Sequence, residues 1–470
     1  MSAISLCFAI HEPYYLRRFT IFDINQDTPY EDDDRTCNQL LYLAQNSYLP
    51  MTELLYRQVK RFEGRFRFSL SVSGIAVDLF EQYTPEVLDN LKKLAATGCV
   101  EFVTETDPHS LALLYSSDEF IAQVEKHASR MEKLFGTKST TFRHPELLFN
   151  NDLARLLEPL GIRTILAEGS RAILGWRNTN YVYASHVAPK IGVLLRNAQL
   201  SSDLSQNFSR KTWEQWPLTA DKFAGWCAQS KDADCINIFA DSHVFGLRNP
   251  KESGIFEFME ALPEAVLKHE GMEFLTPCEV VAAYKAQDSL DVPQYVSWRD
   301  EGIDIRGWLG NEMQRDAIKT AYSLADRVRA LGNAEITKEY QRLQTSDYYH
   351  YMSTRWFSES QPDRPNPYIS PYDAYISYMN ILADFSARIA AMEGENHQAQ
   401  KPEKTLPQEK KAKQEKPKST GSKEASLPKE AAAPEKNDAP QNEEKAPKTE
   451  KKRRKTAPKR AASTRSKKKK

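Results

Sequence analysis

Two carboxylates stand where short apolar runs stop. Glu146 follows the strand-like Thr141-Phe142-Arg143 in TFRHPELLFNN, just ahead of a helix opening at Asn150-Asn151-Asp152, and Asp241 closes Cys235-Ile-Asn-Ile-Phe-Ala-Asp241. In an α/β barrel, acids at strand C-termini share one mouth, where such folds keep their chemistry. Glycoside cleavage needs such a pair: one acid protonates the leaving oxygen, and one carboxylate attacks the sugar or activates water. Taken singly, Glu146 also reads as a solvated loop acid, and 64 Asp and Glu residues offer chance pairs. His11, closing the apolar run Ile4 to Ile10, is a third strand-end group, and also reads as a core histidine.

His109, His144 and His243 with Asp241 raise a metal-site reading, that of a polysaccharide deacetylase. Their spacing lacks a tight pair such as H-x-x-x-H. No metal and no cofactor is expected.

The elements that must position these groups alternate. Short apolar strands are expected at Ile4 to Ile10, Arg67 to Val72, Cys99 to Val103, Thr141 to Arg143, Ile162 to Leu166, Lys190 to Leu195 and Cys235 to Ala240. Helical patterns fall between them: Cys37 to Lys60 with a break at Pro50, Val87 to Ala96, Phe120 to Phe135, and Asn151 to Leu160. That rhythm marks a parallel α/β sheet, and about seven strands favour closure into a barrel. After Tyr284 it changes, with helices at Asn311 to Ala330 and Tyr372 to Met392 and the aromatics Trp298, Trp308 and Trp356.

From Lys401 to Lys470 there are 24 Lys or Arg, 10 Asp or Glu and no aromatic residue, so a net charge of zero hides an acidic body and a basic tail. Such a segment cannot bury enough apolar surface to offset its ordering entropy and is expected to be disordered. Its basic runs could draw nucleic acid or an anionic surface, or simply be solvated. The six cysteines are scattered without a C-x-x-C pair, which points to a reducing, cytoplasmic compartment. Neither a signal peptide nor a membrane span is expected.

The order His11-Glu12-Pro13, Gly98-Cys-Val-Glu101-Phe, Phe142-Arg143 to Glu146-Leu147 and Phe239-Ala-Asp241 to Phe245-Gly246 resembles the successive regions of the family 57 glycoside hydrolases, most closely their α-amylase-like group. Gly254-Ile-Phe256-Glu257-Phe258, Trp308-Leu-Gly310-Asn311 and Ser370-Pro-Tyr372-Asp373 have counterparts there too. The resemblance spans about residues 1 to 390. It implies a seven-stranded (β/α) barrel with an α-helical subdomain, and a retaining mechanism on α-1,4-glucans. By position, Glu146 is implied as nucleophile and Asp241 as general acid and base. His11, Glu101, His109, Trp308 and Asp347 are implied as substrate-binding residues. The chain departs from the pattern at Ser242-His243-Val244, where relatives show Tyr-Glu-Thr, at His144-Pro145, where Asn-Thr is common, and at Asp107-Pro108-His109, where two tyrosines are frequent.

Three regions follow: a catalytic barrel over 1–285, a helical subdomain completing the cleft over 286–395, and a disordered Lys-rich tail over 396–470. The partner expected is an α-glucan or oligosaccharide, either hydrolysed or transferred to another sugar, as by a 4-α-glucanotransferase or branching enzyme. A non-catalytic glucan-binding protein is the alternative from another class. Truncation after about Glu395 is expected to leave the melting temperature and any glucan activity unchanged, which calorimetry and a maltooligosaccharide assay would check.

Overall fold

β1 (Ser2–Ile10) is buried along its whole length, and its side chains divide by parity. Ala3, Cys7 and Ala9 turn into a barrel interior shared with Val103, Leu166, Leu194 and Phe239. Ile4, Leu6, Phe8 and Ile10 turn outward into the core beneath the helices. Strands covered on both faces read as continuous apolar runs, which is why they stand out in the sequence.

The computed structural model describes residues 2–230, 233–298, 304–355 and 366–399. Its further strands are β2 (Phe68–Val72), β3 (Val100–Val103), β4 (Thr141–Arg143), β5 (Thr164–Glu168), β6 (Tyr183–Ser185), β7 (Gly192–Arg196), β8 (Cys235–Asp241), β9 (Met272–Phe274) and β10 (Asp288–Leu290). Parallel pairing runs β4, β5, β7, β8, β1, β2, β3. A bridge from Thr104 to Phe142 returns the chain of strands from β3 to β4 and closes a seven-stranded barrel. The remaining strands are outriders: β6 runs antiparallel on β7 and carries β10, and β9 lies against the start of β1.

Residues 44–48 form a π-helical turn between the helices Asp33–Leu43 and Leu49–Arg61. Pro50 comes just after this π turn, inside a helical run that continues in αR geometry through Leu43, Tyr48 and Leu49, so the wider turn rather than a break accommodates the proline. The helix expected over Asn311 to Ala330 is two, Glu312–Ser323 and Ala325–Leu331, and Asn311 caps the first through Gln314 N. These helices, with Ser346–Tyr351 and Pro371–Ala399, set Trp308, Ile318, Tyr349, Tyr378 and Phe385 into one core with the barrel's Phe142, Ile165 and Val193. All described residues belong to one compact unit. No helix among them is long and apolar enough to cross a membrane. Of the tail, 396–399 complete the helix Pro371–Ala399, and 400–470 lie outside the described residues, as does Trp356.

One glycine fixes the turn after β8. Gly246 has φ +90°, donates its N–H to Asn249 O at 3.0 Å, and lies so close to the Asn46 carbonyl that a Cβ would collide with it. Gly246→Ala is expected to lower stability by about 2 kcal/mol or more, read as a fall in melting temperature.

Candidate active site

Glu146 sits three residues beyond β4 in a short 3₁₀ turn opened by Pro145, and its own backbone is left-handed at φ 62° and ψ 17°. Leu147 follows at φ 49°. For residues with a Cβ this conformation costs roughly 1–2 kcal/mol, so the surroundings must impose it. The side chain is buried, and each carboxylate oxygen accepts a hydrogen bond: Oε2 from Trp298 Nε1 at 3.0 Å, Oε1 from Ser346 Oγ at 2.9 Å. Accepting on both oxygens suits an ionised carboxylate. Ser346 opens the helix Ser346–Tyr351, so the helical segment fixes the orientation of a barrel residue.

The next residue of that helix reaches β1. Asp347 Oδ2 lies 2.7 Å from His11 Nε2, and Ser73 Oγ lies 2.8 Å from His11 Nδ1. Burial first, and the neighbouring His109 second, push the His11 imidazole down to about 4, with Asp347 opposing them. At neutral pH the ring is therefore neutral: Nε2–H donates to Asp347, and Nδ1 accepts from Ser73. His109 stacks on His11 with centroids 3.6 Å apart and interplanar angle 9°. It also has a left-handed backbone, at φ 56°. His109 Nδ1 donates to Glu105 Oε1 at 2.7 Å. Glu105 Oε2 accepts from Arg143 at 2.9 Å and Ser71 at 2.6 Å. Burial alone would push the Glu105 carboxyl up, but His109, Arg143 and His127 together hold it well below the usual carboxylate range.

Asp241 closes β8 opposite Ala9 of β1, two residues before His11. Across the interior, the Arg143 guanidinium of β4 lies over the Phe239 ring of β8, 4.9 Å from its centroid. The strand that carries Asp241 thus faces the one that leads to Glu146. Arg248 reaches Asp241 Oδ2 at 3.1 Å from the turn held by Gly246. His243 turns instead to Tyr48 Oη at 3.3 Å and to Glu12 Oε2 at 3.8 Å.

Glu146, Asp241, His11, His109 and Asp347 therefore gather at the C-terminal mouth. Glu101 and Trp308 stand elsewhere. Glu101 faces the interior level with Ser69 and Cys7, one layer below Val103, and bonds Ser139 Oγ at 2.8 Å and Cys278 N at 3.1 Å near the N-terminal ends of the strands. The acid of that segment at the mouth is Glu105. Trp308 is 1% exposed in the core between barrel and helices, and its Nε1 has no hydrogen-bond partner among the described residues. Trp298 is the tryptophan on Glu146. The three histidines of the metal reading have separate partners: His109 has Glu105, His243 has Tyr48 and Glu12, and His144 has the Pro145 carbonyl at 2.5 Å.

Sequence reasoning missed Trp298, Ser346, Arg143, Arg248 and the buried pair of Glu168 and Arg196, 3.0 Å apart at the ends of β5 and β7. The strand-end positions of Glu168, Arg196 and Arg143 were a usable signal. Nothing local marks Trp298, Ser346 or Arg248.

Residues 5–293 match the family described as Glycosyl hydrolase family 57. A Methanocaldococcus jannaschii protein provisionally named an alpha-amylase is 37% identical over 399 residues, covering 81% of this chain and 84% of its own. Among solved structures, a GH57-type branching enzyme from Pyrococcus horikoshii superposes with TM-score 0.60 at 15% identity, covering 84% of this chain and 91% of that one. The alpha-amylase AmyC of Thermotoga maritima gives 0.56 at 12% identity, with 83% and 94% covered. A 4-alpha-glucanotransferase from Thermococcus litoralis gives 0.56 at 15% identity, with 74% of this chain covered and 56% of that longer one. At these identities the structural likeness shows the fold.

Burial holds the His144 imidazole, like that of His11, down to about 4, from an ordinary value of 6.5. Below pH 6.5 the unfolded chain takes up protons that the folded chain refuses, so stability falls as pH drops from 6.5 to about 4, by at most about 3 kcal/mol per histidine. Above 6.5 neither histidine contributes a pH dependence. His144→Phe, at a site already packed against Phe120 and Phe142, is expected to shrink the fall in melting temperature between pH 6.5 and 4.

Proposed function

Because this chain belongs to glycosyl hydrolase family 57, we propose that its mouth cleaves α-1,4-glucans by double displacement, with Glu146 as nucleophile and Asp241 as general acid and base. The observation that carries the reading is Glu146 itself: a buried carboxylate at the C-terminal end of a barrel strand, oriented through both oxygens by Trp298 and Ser346. Groups held by their own packing and hydrogen bonds pre-organise a reacting atom.

In the first step Glu146 bonds to the anomeric carbon as the glycosidic bond breaks, and Asp241 gives its proton to the departing oxygen. In the second, Asp241 takes a proton from water, whose oxygen displaces Glu146 from that carbon. A sugar hydroxyl in place of the water gives transfer, as in a 4-α-glucanotransferase or a branching enzyme. His11, His109 and Asp347 form the wall beside the reacting sugar: the stacked imidazole pair offers a flat face, and Asp347 offers acceptor oxygens.

The helical segment, proposed as the subdomain 286–395, completes the cleft, since Trp298, Ser346 and Asp347 all come from it. Six cysteines without disulfides suit a reducing compartment such as the cytoplasm.

Incubation with maltooligosaccharides and amylose is expected to yield new chain lengths, with the α-anomer formed first. Glu146→Gln and Asp241→Asn should each lower the rate by at least about 10³-fold. Unchanged product formation in both variants refutes the assignment, and a β-anomer formed first refutes retention.

A further inference from the structure

The turn after β8 returns a cation to the acid it follows. Hydrogen bonds hold it on both sides: the backbone pairs Arg248 N to His243 O at 2.8 Å and Gly246 N to Asn249 O at 3.0 Å, and the Asn249 side chain, whose Nδ2 donates to the carbonyls of Leu204 and Val244. With its backbone so fixed, the Arg248 guanidinium lies 3.1 Å from Asp241 Oδ2, both side chains largely buried. The other charged and titratable groups around β8 make pairs of their own. On the same turn His243 faces Tyr48 and Glu12, from β7 and β5 Arg196 pairs with Glu168, and from β4 and β3 Arg143 pairs with Glu105. Beyond β1, His11 pairs with Asp347.

We propose that Arg248 is a positioning residue that sets the protonation of Asp241, favouring its base form and so confining bond cleavage to acidic pH. This rests on the assignment of Asp241 as the general acid. In the first step the proton must start on Asp241 and leave with the glycosidic oxygen, and a guanidinium that stabilises the carboxylate lowers the fraction of enzyme that still holds that proton as pH rises. In the second step the same carboxylate must be free to accept a proton from water, and the guanidinium raises the fraction present in that unprotonated form. The pair biases the two half-reactions in opposite directions.

An opposite charge at this distance lowers a carboxyl's pKa by about 1–3 units. The pH profile of kcat/KM reports the groups of the free enzyme, and its alkaline limb reports loss of the acid's proton. Arg248→Gln, which keeps a donor but no charge, and Arg248→Met, which keeps neither, are both expected to move the alkaline limb up by about 1–3 pH units. Arg248→Lys should leave it near the wild-type position. An unmoved limb in the Gln and Met variants, with circular dichroism showing them folded, overturns the proposal whatever their melting temperatures. Asp241→Asn settles the premise separately: wild-type activity there removes the assignment, and the proposal with it.

Discussion

Glu105 is almost wholly buried inside the barrel, and both of its oxygens are committed, one to His109 and one to Arg143 and Ser71. An ion taken out of water costs several kcal/mol unless its partners are well placed, and removing one partner of such a pair is strongly destabilising. The ends of β2, β3 and β4 and the loop bearing His109 are therefore tied to one another through a single carboxylate. That tie sets the His109 ring, which stacks on His11, and Arg143, which lies over Phe239 beneath Asp241. The mouth is thus held by charges paired in its floor as much as by apolar packing. Glu168 and Arg196 repeat the arrangement at the ends of β5 and β7, and Arg196 is also the position at which β7 pairs with β8, opposite Asn237.

The barrel alone leaves the mouth incomplete. Glu146 takes one hydrogen bond from Trp298 and the other from Ser346, and His11 takes its partner from Asp347. All three donors and acceptors lie more than 140 residues along the chain from the barrel groups they hold. They are kept in place by a core that Trp308, Ile318 and Tyr378 share with Phe142 and Ile165. Apolar packing outside the barrel thereby determines polar geometry inside it.

This division explains what was legible in the sequence. Strands buried on both faces stand out as apolar runs, and an acid closing such a run is visible, so β1, β8, Asp241 and His11 could be read directly. Glu101 and Glu105 differ by four positions on one strand and its exit, and both face inward. The resemblance pointed to Glu101, but its depth, two positions before Val103, places it at the opposite end of the interior from the mouth. Trp298 and Trp308 stand ten positions apart, and only tertiary packing decides which ring is core and which reaches Glu146. Arg248 left no trace, because a basic residue seven positions after an acid usually faces water; here Gly246 turns it back.

The backbone of Glu146 has a consequence for how this position can change. Left-handed φ is the territory of glycine and asparagine, and at position 146 it is occupied by a buried carboxylate. Conformational preference and the proposed role therefore pull in opposite directions at the same residue. Glycine there would relieve the backbone strain, but it would also take away the acceptor that Trp298 Nε1 and Ser346 Oγ share, so the two effects on stability oppose each other. On the proposed role, an unstrained backbone and a nucleophile are separate demands, and they meet at position 146.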